Sequence, residues 1–535
     1  MIKGMEVVMG IYLNPNKSIF TRYIEDEIYV DKSGIFMHLN KWLGKDSGYV
    51  CLTRPRRFGK SMAAAMIAVY YCNAYDSHDI FDKLAVHRVK SYEEHINKYA
   101  VISFDAQSFR DCVEEPLDFV PSIHQRIGSE LIAQWPDILD DTMPLARMMQ
   151  DVNAATGTKF ILIIDEWDSI FRRDKDNKAA QKAWVSFLRS VFKAAEARQY
   201  LALAYITGIL PIKKYDVESS LNVFSEYTML DSHPLEPYFG FTEKEVQKLC
   251  KKYKMNFDET KRWYDGYRLT AETSIYNPRA VVEAMRRKFF NVYWTQTGAF
   301  DVLKDYINMN FEGLQEAISQ MIVGLHFPVD TTGFDTSLEL LNINHVLTAL
   351  IHLGYLTYDF NTKEAWIPNE EIRGVMQTAI TESNWEHTVK QFQRSRDFMA
   401  AIQNKDADRA VQIIEEIHDD ISVPIHYNSE GDLTTTLLFA TNEARNYCLL
   451  SRECPSSRGY ADIVLIPTKP SWYKPTIFEL KLDDSTESAI AQIETRKYFS
   501  VKELQKYQGE VLAVAFVYDR KDKKHRCEIR MFEIR

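Results

Sequence analysis

The stretch from Tyr49 to Ser61 constrains the fold of this chain more than any other. An apolar run ending at Leu52 predicts a short strand, and Gly59-Lys60-Ser61 opens a predicted helix after a basic loop. A loop between a strand and a helix N-terminus directs backbone N–H groups and the positive end of the helix dipole at an anion. The pattern therefore predicts a phosphate-binding loop, in which Lys60 reaches the β- and γ-phosphates of a nucleotide and Ser61 holds Mg²⁺.

The loop departs from the general pattern G-x-x-x-x-G-K-[ST], because Arg54 stands where the first glycine is expected. Pro55 fixes its own φ and stiffens the loop. Together with Arg56 and Arg57, Arg54 brings three cations that would neutralise phosphate charge in a transition state. The alternative is a basic patch that binds an anion other than ATP.

A second set of polar residues follows two predicted strands. The continuous apolar run that ends at Ile164 is typical of a parallel strand buried on both faces, and two acids follow it. We expect Asp165 to hold Mg²⁺ with Ser61, and Glu166 to be the general base that orients the attacking water. Thr207 ends the next strand at the same sheet edge and would contact the γ-phosphate. The alternatives are acids that merely cap a strand and a plain glycine turn.

Apolar strands alternate with helical stretches through the first 230 residues. This alternation predicts βαβ crossovers, and therefore an α/β fold with a doubly wound parallel sheet. The predicted strands are 49–52, 100–105, 160–164 and 201–207.

These motifs together resemble the AAA-ATPase-like family, a bacterial and archaeal group whose members often carry a nuclease-like C-terminal domain. The residues that carry the resemblance are Tyr29-Val30-Asp31-Lys32, the loop Leu52 to Ser61, Asp165-Glu166-Trp167-Asp168, Ile206-Thr207-Gly208 and Trp263-Tyr264-Asp265-Gly266-Tyr267. In that family the R-P-R-R-F-G-K-S loop is itself the signature, so Arg54 does not depart from the family. The resemblance implies a P-loop ATPase whose ATP-binding residues are Arg54, Pro55, Arg56, Arg57, Phe58, Gly59, Lys60, Ser61, Asp165 and Thr207.

Residues 231–420 change to a mostly helical pattern. Thr242 and Glu245 have the spacing of a capping box. The aromatic run Trp263 to Tyr267 is expected to pack a helical lid against the ATPase core, and base stacking is the alternative. A predicted helix from His345 to Gly354, followed by a small hairpin, resembles a winged helix; the alternative is an inert spacer.

Two carboxylates carry the chemistry of the last predicted domain. If the Pro-rich segment between them is the turn of a hairpin, antiparallel pairing places Asp462 opposite Glu479. Opposed acids destabilise a sheet unless a cation lies between them, which favours Mg²⁺ or Mn²⁺. Lys481 projects from the same face and would polarise a metal-bound water. Gln492 on the next helix would orient the site, and Glu453 lies upstream near the metal edge.

This second set resembles the PD-(D/E)XK nuclease superfamily. The matching residues are Glu453, Arg458 to Asp462, Phe478-Glu479-Leu480-Lys481 and Ala491 to Tyr498. The resemblance implies an α/β restriction-endonuclease-like domain. Domains of this fold also occur without cleavage activity, so a domain that grips nucleic acid or a partner without cutting it is the alternative.

Composition excludes several classes of function. A net charge of -10 and a pI near 5.8 argue against a whole-surface nucleic-acid binder, although local basic patches still contact phosphates. The seven cysteines are scattered without a C-x-x-C pair, so neither a zinc site nor a disulfide framework is indicated. No apolar run is long enough to span a bilayer. We therefore expect a cytoplasmic protein with no membrane partner.

A chain of 535 residues is expected to hold several domains. The predicted divisions are a P-loop AAA-ATPase-like domain at 1–230, a helical lid at 231–300, a helical, winged-helix-like middle segment at 301–420 and a nuclease-like domain at 421–535. We predict an enzyme that binds and hydrolyses ATP and carries a Mg²⁺- or Mn²⁺-dependent phosphodiesterase acting on DNA, with RNA as the alternative substrate. The alternative is a nucleotide-switched nucleic-acid-binding or regulatory protein that does not cleave. Self-association is left open.

Overall fold

The computed structural model shows a chain of two compact units. The first comprises Met1–Glu312 and His326–Met376, and the second comprises Gly313–Leu325 and Gln377–Arg535. The predicted middle segment is therefore divided between both units. The structure describes residues 9–193, 196–212, 221–270, 273–294, 299–309, 311–334, 340–421, 430–456, 459–469, 473–500, 504 and 507–534.

The first unit is built on a five-stranded sheet. Its strands are β1 (Tyr49–Thr53), β2 (Ala100–Asp105), β3 (Phe160–Asp165), β4 (Leu201–Gly208) and β5 (Ser225–Tyr227). All neighbours are parallel and the order is β2-β3-β4-β1-β5, which confirms the predicted α/β class and parallel sheet. The accompanying helices are α1 (Ser18–Ile24), α2 (Phe36–Trp42), α3 (Lys60–Tyr71), α4 (His78–Phe81), α5 (Tyr92–His95), α6 (Ala106–Asp111), α7 (Phe119–Gln134), α8 (Leu145–Thr156), α9 (Ser169–Arg173), α10 (Lys178–Phe192) and α11 (Ala197–Tyr200).

The central strands are apolar throughout because they are covered on both faces. Consecutive side chains of a strand point to opposite faces of the sheet. In β3, Leu162 and Ile164 pack into a core with α7, α8 and α10, whereas Ile161 and Ile163 pack into a second core with α3. Helices on both faces therefore explain why β3 reads as a continuous apolar run and not as an alternating one.

A small antiparallel sheet follows in the first unit. Its strands are β6 (Phe241–Thr242), β7 (Tyr267–Arg268) and β8 (Ser274–Tyr276), in the order β6-β8-β7. The helices around it are α12 (Glu243–Tyr253), α13 (Phe257–Tyr264) and α14 (Pro278–Arg287), and α15 (Ala299–Asn308) follows. The predicted capping box at the start of α12 is confirmed, because the Thr242 N–H donates to Glu245 Oε2 at 2.7 Å. The buried Lys32 pairs with the same carboxylate at 2.7 Å.

The helix and hairpin predicted near residue 350 are present. Helix α17 (Ile343–His352) precedes the antiparallel strands β10 (Thr357–Asp359) and β11 (Glu364–Trp366), and β9 (Phe327–Pro328) pairs with β11. The winged-helix interpretation of this segment stays a prediction. Helix α18 (Glu370–Thr381) follows; it begins in the first unit, and its residues from 377 onward belong to the second.

The second unit has its own five-stranded sheet. The strands are β12 (Cys448–Ser456), β13 (Gly459–Pro467), β14 (Thr476–Leu482), β15 (Gly509–Asp519) and β16 (Lys524–Ile534), in that order. Only β14 and β15 are parallel, and α22 (Thr486–Thr495) connects them. The other helices are α16 (Leu314–Ile322), α19 (Glu386–Asn404), α20 (Ala407–Ile421) and α21 (Glu430–Ala440).

The strands and helix expected in this sheet are present, but its assignment as a restriction-endonuclease-like domain stays a prediction. The predicted hairpin between β13 and β14 is antiparallel as expected. The centre of its turn, at residues 470–472, lies outside the described residues. In the described part of the chain no helix combines the length and the apolar character needed to cross a bilayer.

Candidate functional site

The loop between β1 and α3 contains two residues in the left-handed region of backbone space. Gly59 has φ 89° and Arg57 has φ 70°, and α3 begins at Lys60. Glycine adopts such a φ without steric cost, so Gly59 lets the chain turn directly into the helix. Arg57 holds a similar φ with backbone strain, which its surroundings must offset. The strand, loop and helix predicted from Tyr49 onward are therefore present.

Lys60 lies folded into this loop. Its Nζ donates to the carbonyl oxygens of Arg54 (3.0 Å) and Pro55 (3.2 Å) and lies 3.7 Å from Glu166 Oε1. The side chain is only 4% exposed. Charge-assisted hydrogen bonds to an ionised acceptor are stronger than bonds to neutral carbonyls. An incoming phosphate would therefore compete well for this ammonium group.

The structure corrects the role expected for Arg54. Its side chain is fully buried, and Nη1 donates to the carbonyl oxygens of Thr53 (2.8 Å) and Tyr227 (3.0 Å). Its guanidinium carbon lies 5.9 Å from the centre of the Phe239 ring. Burial lowers the pKa of Arg54 to about 10. Arg54 therefore braces the loop against β5.

Asp165 and Glu166 lie beside Lys60 at the end of β3. Thr207 Oγ1 donates to Asp165 Oδ1, and the Glu166 N–H donates to the same oxygen at 3.1 Å. Glu166 has φ 51°, and its carboxylate faces the Lys60 ammonium group. The structure thus brings together the lysine and the two acids that sequence predicted to act jointly.

Thr207 bonds to Asp165, and its predicted contact with a γ-phosphate stays a prediction. Its side chain is fully buried behind Asp165, and its carbonyl accepts from the Trp167 N–H at 2.9 Å. A Cβ on Gly208 would come within 2.6 Å of Trp167 Nε1, so this approach requires glycine. The ends of β3 and β4 therefore pack closely against each other, and Thr207 orients Asp165.

Arg172 belongs to this site and was missed by the sequence analysis. Its Nη2 donates to Glu166 Oε2 and also lies 3.3 Å from Asp168 Oδ1. Asp168 is fully buried and accepts from the Ile209 N–H at 3.0 Å. The spacing of Asp168 and Arg172 by four residues was the available signal, but it indicated only a helical ion pair. The contact with Glu166 forms because α9 begins directly after β3.

Asp105 is a second residue that the sequence analysis did not include in the site. It ends β2 and is the register partner of Asp165 on β3. Burial raises the pKa of Asp105, and the charges of Asp165 and Glu166 raise it further. Its Oδ1 accepts from the Ser108 N–H at 3.0 Å and caps α6. Three carboxylates therefore share one edge of the parallel sheet.

A cavity of about 440 Å³ opens onto the loop. Its polar lining includes Gly59, Lys60, Ser61 and Glu166. Its apolar lining includes Ile28, Tyr29, Val30, Phe241 and Val282. Ligand sites commonly combine an apolar wall with a few placed polar groups. The apolar residues come from segments before β1 and after β5, and of these only Tyr29 and Val30 belong to the motifs recognised in the sequence.

Four arginines also line this cavity: Arg56, Arg57, Arg279 and Arg286. Arg57 Nη1 donates to the Tyr293 carbonyl at 2.8 Å, and Arg279 pairs with Glu283 at 2.9 Å. Burial lowers the pKa of Arg57, and the charge of Arg279 lowers it further. Because these positive charges repel one another, a ligand with several negative charges would stabilise them together.

The second unit holds the other predicted constellation, at the end of the β13–β14 hairpin. The last register pair of this hairpin is Ile463 with Phe478, and Asp462 and Glu479 are the next residues along the two strands. Asp462 Oδ2 accepts from the Leu480 N–H at 2.7 Å. The two carboxylates therefore converge from neighbouring strands.

Glu479 lies at the centre of this group. It is 1% exposed, and its Oε1 accepts from Lys481 Nζ at 2.8 Å and from Gln492 Nε2. Its Oε2 is buried with no partner among the described residues. Burial raises the pKa of Glu479 to about 7, with a further contribution from Asp462. Burial alone would lower the pKa of Lys481, but the bond to Glu479 and the charge of that residue raise it overall.

Two further acids lie near Asp462. Glu453 stands in β12 between Arg452 and Cys454, which pair with residues on either side of Asp462, and it has φ 47°. Burial raises the pKa of Asp462, and the charges of Glu430 and Glu453 add to that shift. Glu430 starts α21 and was missed because it lies far from the other residues in sequence.

Both sites have donors that suit a hard divalent cation. In the described part of the chain no three His, Cys, Asp or Glu side chains converge as a complete metal cage. Mg²⁺ usually takes one or two carboxylates and completes its shell with water and phosphate oxygens. The unpartnered Glu479 Oε2 beside Asp462 fits that donor set. In the first unit, Ser61 and Asp165 supply a hydroxyl and a carboxylate of the same kind.

Comparisons with known proteins give one family match, which lies within the first unit. A family model described as a predicted AAA-ATPase matches residues 18–218. Among solved structures, the ORC2 protein of Aeropyrum pernix is similar with 11% identity and a TM-score of 0.34, over 68% of this chain and 98% of that chain. Cdc6p of Pyrobaculum aerophilum is similar with 10% identity and a TM-score of 0.26, over 69% and 99%. A comparison with curated proteins found no match.

Proposed function

We propose that the first unit binds ATP in its cavity and hydrolyses it. One observation carries the proposal: Lys60, at the end of the loop, lies 3.7 Å from Glu166, at the end of β3, and both line a cavity with an apolar wall. The apolar wall suits a nucleobase, and the loop suits its phosphates. The match of residues 18–218 to the predicted AAA-ATPase family supports the same reading.

The residues of the site have separate tasks in this reaction. Lys60 exchanges two neutral carbonyl partners for phosphate oxygens. Ser61 and Asp165 would hold Mg²⁺, which neutralises charge on the phosphates when bound. Glu166 orients the attacking water and accepts its proton, and Arg172 holds the Glu166 carboxylate in place. Thr207 fixes Asp165 from behind.

Lys60→Ala is expected to weaken ATP binding about 10- to 100-fold, because it removes one charge-assisted contact to phosphate. Titration with a fluorescent ATP analogue measures the change. Lys83→Ala, on an exposed part of the same unit, is the matched control and is expected to bind as wild type. Equal affinity of Lys60→Ala and wild type would contradict the ATP site.

Arg54→Met is expected to leave ATP affinity within about threefold of wild type, because this side chain is buried away from the cavity. Arg56→Ala removes a cation that lines the cavity, and we expect a loss of about tenfold. Calorimetric titration with ATP compares the two variants. A greater loss for Arg54→Met than for Arg56→Ala would restore the phosphate-binding role first assigned to Arg54.

We further propose that the second unit cleaves phosphodiester bonds in DNA. The supporting observation is the buried, unpartnered Glu479 Oε2 beside Asp462, with Lys481 bonded to the same carboxylate. Asp462 and Glu479 would hold Mg²⁺ or Mn²⁺, which supplies an activated water. Lys481 neutralises the charge that builds on the phosphate, and Gln492 holds Glu479 in position.

A second candidate function is a nucleotide-switched protein that grips DNA or RNA without cutting it. The observation that favours it is the occupied Oε1 of Glu479, to which Lys481 and Gln492 both donate. Filter binding of DNA with and without ATP separates the candidates. Retention of DNA by Glu479→Gln, together with no cleavage product from wild type, would favour the switch over the nuclease.

A further inference from the structure

The outer side of the phosphate-binding loop is packed by three separate segments of the first unit. Phe58 meets Tyr267 edge to face, with ring centres 5.1 Å apart. A Cβ on Gly354 would come within 2.7 Å of Pro55 Cγ, so the chain after α17 lies directly against the loop. Arg57 Nη1 donates to the Tyr293 carbonyl at 2.8 Å. The loop is therefore enclosed on its outer side by elements that are distant in sequence.

The same segments lead to the first turn of α18. A Cβ on Gly266, next to Tyr267, would clash with the Pro368 carbonyl. Asn369 Nδ2 donates to the Asp265 carbonyl at 2.7 Å, while its Oδ1 accepts from the Ile372 N–H at 3.0 Å and caps the helix. The start of α18 is therefore attached to the segment that contacts Phe58.

Glu371, in this first turn, holds the peptide that Arg57 contacts. Its Oε1 accepts from the Tyr293 N–H at 2.7 Å, and Arg57 bonds to the carbonyl of the same residue. Glu371 is fully buried, and its Oε2 has no partner in the described part of the chain. Burial raises the pKa of Glu371 to about 8, while backbone hydrogen bonds from Tyr293 and Trp294 and the Arg57 charge act in the opposite direction. A buried carboxyl with one unpartnered oxygen is costly, so its retention here calls for a role.

Arg57 can donate hydrogen bonds to two kinds of acceptor: the backbone carbonyl that it contacts now and a phosphate bound in the cavity. Its present partner is the neutral Tyr293 carbonyl, while its side chain also lines the nucleotide cavity. Charge-assisted bonds from a guanidinium to phosphate are stronger than bonds to a neutral carbonyl. A polyphosphate on Lys60 and Ser61 would therefore draw Arg57 away from Tyr293.

We propose that Glu371 is a positioning residue for Arg57: it fixes the Tyr293 peptide that holds this arginine, and nucleotide binding loosens that peptide by taking Arg57 away. The inference rests on the proposed ATP site, since ATP supplies the phosphate. By thermodynamic reciprocity, a residue that stabilises the Arg57–Tyr293 bond weakens nucleotide binding. Glu371 and ATP therefore compete through Arg57.

Hydrogen–deuterium exchange of the full chain tests this competition. In wild type, saturating ATP is expected to speed exchange of the peptide 289–294 by about tenfold at the Tyr293 amide. In Arg57→Ala the same peptide is expected to exchange fast without ATP and to show no further response. Arg56→Ala, the neighbouring cavity arginine, is the matched control and is expected to keep the response when ATP is raised to saturation.

ATP affinity is a second measurement, because a variant that is merely damaged would not bind ATP more tightly. Glu371→Leu is expected to tighten ATP binding about three- to tenfold, because Arg57 is no longer held. Glu371→Gln keeps an acceptor oxygen for the Tyr293 N–H and is expected to stay close to wild type. Weaker binding in both variants would overturn the positioning role.

The outcomes separate this inference from the function on which it rests. If wild type binds ATP but peptide 289–294 does not change, the positioning role is wrong and the ATP site stands. If wild type binds no ATP at all, as measured by titration, both fail. If Arg57→Ala retains the full exchange response, another residue carries the signal and the role of Glu371 is overturned.

Discussion

Glu166→Gln is expected to lower ATP turnover about 10²- to 10⁴-fold while ATP still binds, because a general base contributes a rate factor of that size. Glutamine keeps the size of the side chain and loses the charge and the proton acceptor. The structure supports this prediction through geometry: the Glu166 carboxylate lies 3.7 Å from Lys60 Nζ and is held by Arg172. Phosphate release and titration with ATP measure turnover and binding separately.

Glu94→Gln is the control for this variant, since Glu94 is an exposed acid in the same unit. It is expected to hydrolyse ATP at the wild-type rate. Loss of ATP binding in Glu166→Gln would show that the carboxylate supports the loop and not the chemistry. Turnover within about threefold of wild type would leave the site without a general base.

Lys481→Ala is expected to lower metal-dependent cleavage of DNA about 10²- to 10³-fold, the usual effect of removing one group that stabilises transition-state charge. Lys481 Nζ lies 2.8 Å from Glu479 Oε1, so it is placed beside the acid that would hold the metal. A screen of single-stranded DNA, double-stranded DNA and RNA with Mg²⁺ or Mn²⁺, with and without ATP, provides the assay.

Lys521→Ala is the matched control, because Lys521 is an exposed lysine in the β15–β16 turn of the same unit. We expect it to cleave as wild type. Cleavage by Lys481→Ala at the wild-type rate would show that any nuclease signal arises elsewhere. Lack of cleavage by wild type on every substrate, with ATP-dependent DNA binding intact, would favour the regulatory alternative.

Local features of both sites were predictable because they depend on neighbours in sequence. The turn into α3 requires a left-handed residue directly before Lys60, and Gly59 supplies it with φ 89°. The placement of Asp462 and Glu479 next to the last register pair follows from the symmetry of a hairpin, since each step along one antiparallel strand is matched by a step back along the other. Such rules need no knowledge of the distant chain.

The direction of individual side chains was not predictable in the same way. Arg54 reads as a phosphate-binding cation, but burial against β5 gives it two carbonyl partners and removes it from the cavity. Thr207 reads as a γ-phosphate contact, but it bonds to Asp165 from behind. In both cases an alternative partner lies on a strand that only the sheet order brings near.

By itself, the sequence determined the parallel α/β sheet, the turn from β1 into α3 and the strand-end acids, because strand burial, backbone turns and hairpin symmetry act over a few residues. Only the tertiary structure decided which residues from distant segments contact one another. The apolar wall of the cavity, the hold of Arg172 on Glu166, and the bond of Glu371 to the peptide that Arg57 contacts each join segments from separate parts of the chain. These partners are determined by the shape and polarity of the packed segments, which a local sequence pattern does not specify.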